Sequence, residues 1–162
     1  MFVRFLGLYI DECLTWSNNT EVLCRKLSQK LGLLRRLSNF MSKEALLKIY
    51  NSVVFPHFNY CCTVWHGAKN KQCMDRLFRL QKRAARIILD IKIPHSVSTS
   101  YLLSQLKWMP LTDYFMYRKI VLIFKVLHCI APEYLNVFKY VHEVSTRNTR
   151  QSANTNLRCH GI

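Results

Sequence analysis

Met74-Asp75-Arg76-Leu77-Phe78-Arg79-Leu80-Gln81-Lys82-Arg83-Ala84-Ala85-Arg86-Ile87-Ile88-Leu89 is the stretch from which the rest of the chain is read. At about 100° per residue, Leu77, Leu80, Ala84, Ile87 and Ile88 share one side of a helix. Arg76, Arg79, Lys82, Arg83 and Arg86 fall within about a third of the circumference on the opposite side. One face suits a protein core and the other suits anions. A face that is merely solvated usually mixes Glu with Lys for pairing four residues apart. Here five cations stand within eleven residues, and the only acids, Asp75 and Asp90, are at the ends. An anion-binding face is therefore preferred over a solvated one.

The whole chain supports that preference. Its 162 residues are 50% hydrophobic, enough to bury a core as one domain or two small subdomains. Gly and Pro are scarce, four of each, while Leu, Arg and Lys are abundant, which predicts a mainly α fold. The formal net charge of +15 points to a polyanion, most simply nucleic acid. Residues 21–90 hold fourteen Lys/Arg against four Asp/Glu, whereas residues 91–144 hold six against three. The positive field belongs to the first helical half. Seven cysteines without regular spacing, and no signal peptide ahead of them, read as reduced thiols of an intracellular protein, nuclear or cytoplasmic. No uncharged run approaches the 18 or so residues of a membrane span, so no membrane partner is expected.

Outward from the basic stretch, the elements follow in order. Phe2 to Ile10 is dense in aromatic and branched residues and reads as one N-terminal strand. A single strand leaves its backbone unpaired, so the beginning of the chain looks like a cut. Asn18 with Glu21 three on offers a capping box, and Leu23, Leu27, Leu31 and Leu34 form the stripe of a helix to about Leu37. Gly32 inside it costs about 1 kcal/mol against Ala, which predicts a close helix–helix approach. Ser42 caps a helix that meets Pro56, where a kink or break is expected before helix continues to about Trp65. After a linker over 90–99 come a short helix from about Ser100 to Leu106 and a long one from Thr112 to about Cys129. The latter is apolar nearly all round, which predicts burial on several sides as the core of a second subdomain. The organisation expected is thus 1–17 as a strand and connection, 18–90 as a basic helical domain and 91–144 as a second helical subdomain. Residues 145–162 read as a disordered basic tail.

Leu77-x-x-Leu80-Gln81-x-Arg83-Ala84-Ala85-Arg86-Ile87-Ile88-Leu89 resembles a signature that follows the polymerase core in reverse transcriptases of non-LTR (LINE-type, jockey-like) retrotransposons. Phe5-Leu6-Gly7-Leu8-Tyr9-Ile10-Asp11 with Leu14-Thr15-Trp16 is similar to the segment that closes the palm in those enzymes. Leu33-Leu34-Arg35-Arg36-Leu37, Tyr50-Asn51-Ser52, Pro56-His57-Phe58-Asn59-Tyr60-Cys61 and Trp65 follow in family order. So do Leu106-Lys107-Trp108-Met109-Pro110-Leu111, Ala131-Pro132-Glu133-Tyr134-Leu135 and Asn148-Thr149-Arg150. The ordered set covers nearly the whole chain. The resemblance implies the thumb and following helical region of an RNA-directed DNA polymerase. The N-terminal strand would be left over from the palm, and the missing fingers–palm core would be a partner.

A polymerase needs two or three clustered carboxylates to hold two Mg²⁺ ions. The parent enzyme would use Mg²⁺, but this chain has no Asp-Asp pair, so no catalytic residue and no cofactor is expected in it. His57, Cys61, Cys62, His66 and Cys73 lack the paired short spacings of a zinc site, and no metal ligand is assigned. Trp16, Trp65 and Trp108 each lie next to an apolar run, which favours burial over base stacking. What remains is backbone contact with an RNA or DNA duplex by Arg76, Arg79, Lys82, Arg83 and Arg86, with Lys30, Arg35 and Arg36 as a second group. Three other readings stay open: a stand-alone nucleic-acid-binding protein, a helical protein-interaction or structural module, and a non-functional transposon relic.

Overall fold

The computed structural model describes residues 2–67, 71–91 and 97–135, together with the backbone of 138–140 and 157–159. The fold is mainly α. Clustering of contacts divides the chain into two compact units, Met1–Phe115 and Met116–Ile162.

The expected single strand is instead a hairpin. β1 (Phe2–Phe5) pairs antiparallel with β2 (Leu8–Asp11), in the register Phe5↔Leu8 to Phe2↔Asp11. The two loop residues, Leu6 and Gly7, have φ of 45° and 82°. Positive φ at both positions matches the twist of a two-residue hairpin, and Gly7 adopts it without a Cβ penalty. Self-pairing satisfies the strand that the sequence left without a partner. With Phe5 and Leu8 as the bonded pair next to the turn, Tyr9 belongs to a non-bonded pair and its N–H points outward. That N–H donates to Asn19 Oδ1 at 3.3 Å, so one free edge of the hairpin is tied to the next helix.

α1 (Ser17–Leu37) begins one residue before the expected Asn18 cap, and the capping box does not form. Trp16 stands at its start in the left-handed region, and Asp11 does the organising. The Asp11 carboxylate accepts from Thr15 N–H (2.8 Å), Trp16 N–H (2.8 Å) and Thr15 Oγ1 (3.1 Å). These bonds, the one from Thr15 N–H foremost, stabilise the ionised form and hold its pKa below the usual carboxylate range. Cys24, Leu27, Leu31 and Leu34 form the buried stripe of α1. Gly32 is not a close-approach site, for a Cβ built there meets nothing within 4 Å. Small buried side chains occur instead at Ala84 and Ala85 of α5 (Lys71–Ile88).

Ser42 caps α2 (Lys43–Ile49) as expected, its Oγ accepting from Ala45 N–H. A π turn over Tyr50–Val54 then leads into α3 (Phe55–Asn59), whose second residue is Pro56. A widened turn just before proline makes room for its ring and its missing N–H, so the helical path survives. The path breaks later, at Cys61 in the left-handed region, before the short α4 (Cys62–Trp65). Trp65 is buried and donates its Nε1–H to Tyr60 C=O at 2.7 Å.

α6 (Thr99–Gln105) and the start of α7 (Leu111–Leu127), which the sequence assigns to a second subdomain, pack within the first unit. Leu102, Leu106, Leu111 and Phe115 join the same core as Leu27, Tyr50, Phe58 and Leu77. The rest of α7 contradicts its apolar reading. Met116, Tyr117, Ile120 and Phe124 are each more than half exposed. In the second unit, β3 (Phe138–Tyr140) pairs antiparallel with β4 (Leu157–Cys159). β4 falls within the 145–162 segment read as disordered, and the remainder of that segment lies outside the described residues.

Candidate nucleic-acid interface

α1 and α5 pack side by side and in the same direction. Near their starts Cys24 lies beside Cys73 and Arg76, and near their ends Arg35 shares a groove with Arg83 and Arg86. Leu77, Ala84, Ala85 and Ile88 bury the inner face of α5, which leaves Arg76, Arg79 and Arg83 exposed on the outer one. Lys82 and Arg86 are half-buried.

The groove has a volume of about 640 Å³ and is lined by Arg35, Ser38, Asn39, Arg83, Arg86 and Asp90, among others. Its floor is set by the end of α5. Asp90 takes the left-handed conformation (φ 51°), Ile91 N–H donates to Arg86 C=O and Asp90 N–H to Ile87 C=O. This pair of bonds is the Schellman closure of a helix, with Asp standing where Gly is usual. It ends α5 beside the arginine-lined groove. Three arginines and one aspartate give the groove a net positive field. Among the described residues an ion pair forms between Glu21 and Arg25 at 3.7 Å, at the opposite end of α1.

Some of these cations have a structural role. Arg35, Arg36 and Arg86 sit in the last turns of their helices, where a positive charge offsets the helix dipole by about 0.3–1 kcal/mol each. That role does not extend to Arg76, Arg79 or Arg83, which lie too far from the end of α5. Lys30 is not part of the groove. It lies with Lys26 beside His57 of α3, and burial, then Lys30 and Lys26, push the His57 imidazole below its usual value. The second group expected from sequence therefore divides: Arg35 joins the α5 cations, while neither Lys30 nor Arg36 lines their groove.

Gln81 was not read as a functional position, yet it is the buried polar residue of α5. Its Nε2 donates to Met109 C=O at 2.9 Å, and its Oε1 accepts from Leu111 N–H at 3.2 Å. The side chain pins the 109–111 turn to the basic helix. The signal was present, since Gln81 falls four residues after Leu77 on the apolar stripe. Asn59 Oδ1 accepts from Tyr114 Oη at 2.8 Å, which ties α3 to the start of α7.

Among the described residues no group of three or more His, Cys, Asp or Glu is placed to hold a metal ion. Among the described residues the Asp11 oxygens are taken up by Thr15 and Trp16. No helix of the described residues is long and apolar enough to cross a membrane. Comparison with family models, with curated proteins and with solved structures finds no match for the chain.

Proposed function

We propose that this chain binds a nucleic-acid duplex by its phosphates, as the thumb and following helical region of a non-LTR retrotransposon reverse transcriptase. Among the described residues no carboxylate cluster is placed to hold a metal ion, and on this reading the chain contributes positioning, not chemistry. The observation that carries the reading is the convergence of Arg35 from α1 with Arg83 and Arg86 from α5 about one groove. The exposed Arg76 and Arg79 extend the same positive surface along α5. Arginine forks suit phosphate oxygens, and such contacts hold a duplex without reading its sequence.

The test is the salt dependence of duplex binding. For B-form DNA the log–log slope is about 0.9 per phosphate neutralised. Replacing Arg35, Arg79 and Arg83 by Gln lowers the slope by about two to three units and weakens all sequences alike. A parental slope in the triple variant defeats the proposal. A second reading, a protein-interaction module, draws on a different observation: the exposed apolar face of α7 formed by Met116, Tyr117, Ile120 and Phe124. That reading predicts duplex affinity no greater than a generic +15 surface gives, and self-association or partner capture through α7.

A further inference from the structure

The Gln81 bridge helps to build a second, smaller recess in the first unit. The cavity, of about 190 Å³, is walled by Tyr50, Phe55, Trp108 and Tyr114, with Asn51 and Lys107 at its rim. It lies below the ~300 Å³ at which pockets for drug-sized ligands begin, so it admits one ring system and little more.

Its walls are fixed from two sides. Tyr50 and Asn51 stand on the π turn, a widened helical turn of the kind often found at functional sites. Trp108 is set by the end of α6, where Trp108 N–H donates to Leu103 C=O and Lys107 N–H to Ser104 C=O. This closure puts Lys107 in the left-handed region, φ 54°, at a conformational cost that a glycine would avoid. Trp108 stacks on Tyr50 with centroids 4.1 Å apart and planes 19° from parallel. Phe55 and Tyr114 meet edge-to-face at 5.1 Å. The Gln81 amide is occupied at both ends and Tyr114 Oη is bonded to Asn59, so the interior offers flat apolar surface. Asn51 and Lys107 are exposed: one carries a paired amide donor and acceptor, the other a cation.

We propose that this aromatic recess receives a single unpaired nucleobase, with Asn51 at the base edge and Lys107 at the adjoining phosphate. Aromatic walls take any base by its π face, and one cation beside a ring-sized cavity matches a nucleotide better than an uncharged aromatic side chain. The inference deepens the phosphate-binding reading and rests on it to bring nucleic acid to the first unit.

The experiment uses the full chain and two DNA duplexes of equal length, one fully paired and one with a single bulged 2-aminopurine. The expected result is quenching of the bulged 2-aminopurine and at least fivefold tighter binding than to the paired duplex. Adenosine 5′-monophosphate should compete for the bulge and ribose 5-phosphate should not. Trp108→Ala removes a core contact and could unfold the chain, so the informative variants are Asn51→Ala and Lys107→Asn, the latter keeping a residue that tolerates positive φ. Each should reduce the preference for the bulge several-fold while binding of the paired duplex stays within about twofold. Equal binding of both duplexes without quenching overturns the recess and leaves the arginine groove standing. Competition by N-acetyl-tryptophanamide as strong as that by the nucleotide also overturns it, in favour of an aromatic anchor from a protein. Quenching and nucleotide competition without measurable binding of paired duplex would support the recess and defeat the groove.

Discussion

α5 and α7 are nearly equal in length, 18 and 17 residues, and their sequences predict opposite fates. α5 is crowded with arginine and yet carries the fully buried Leu77, Ala84 and Ala85. α7 is the more apolar helix, and beyond Phe115 it leaves Met116, Tyr117, Ile120 and Phe124 more than half exposed. What separates them is contrast between faces, not mean hydropathy. A helix with one apolar stripe has a single way to sit against a core, and its charges make every other orientation costly. A helix apolar all round has no such preference, so whatever packs around it decides which sides are covered. Where the covering is incomplete, apolar surface is left over, and surfaces of that kind mark interaction sites.

The sharpest way to break this comparison is truncation on each helix. Leu77→Ala should cost about 2–5 kcal/mol in urea unfolding, as a fully buried leucine leaves a cavity. Ile120→Ala should stay within about ±0.5 kcal/mol at low protein concentration. An Ile120 variant as damaging as the Leu77 one would mean that α7 is covered in solution. A concentration-dependent effect would point to a second copy of the chain.

The next effect in size belongs to Gln81. Gln81→Ala strands Met109 C=O and Leu111 N–H and should destabilise by about 1–3 kcal/mol. Amide exchange at Leu111 should quicken in parallel; an unchanged Leu111 rate would show that the bridge does not persist. Smaller and opposite in sign is Gly32→Ala in α1. With nothing within 4 Å of the added Cβ, the substitution should stabilise by about 0.5–1 kcal/mol through helix propensity. A loss of stability there would restore the close helix approach that the sequence suggested.

The smallest effect is local and depends on pH. The folded Asp11 carboxyl is held below its unfolded value near 3.8. Its contribution is therefore complete above that value and is lost as pH falls through the still lower folded one. In an acid titration the Thr15 and Trp16 amide proton shifts should move together with a midpoint below 3.8, and Asp11→Asn should abolish the step. A midpoint at or above the unfolded value would remove Asp11 from the start of α1.

By itself the sequence determined the mainly α class, the Ser42 cap, Leu27, Leu31 and Leu34 of the α1 stripe and Leu77, Ala84 and Ile88 of the α5 stripe, while Leu23, Leu80 and Ile87 of the same stripes are only half-buried. All of these are periodic or local signals, and a period of 3.6 residues survives whatever the neighbours do. The hairpin escaped it because Leu6-Gly7 is not among the strong turn pairs, and only Gly7 hints at the reversal. The Asn18 cap is missing because α1 already begins at Ser17, just after the Thr15 and Trp16 N–H groups that Asp11 fixes. Only tertiary structure could bring Arg35 to Arg83 and Arg86 while sending Lys30 to His57, because the relative rotation of two packed helices is set by their buried faces together. Tertiary structure also decided the fate of α7, where uniform apolarity gave the sequence no face to choose.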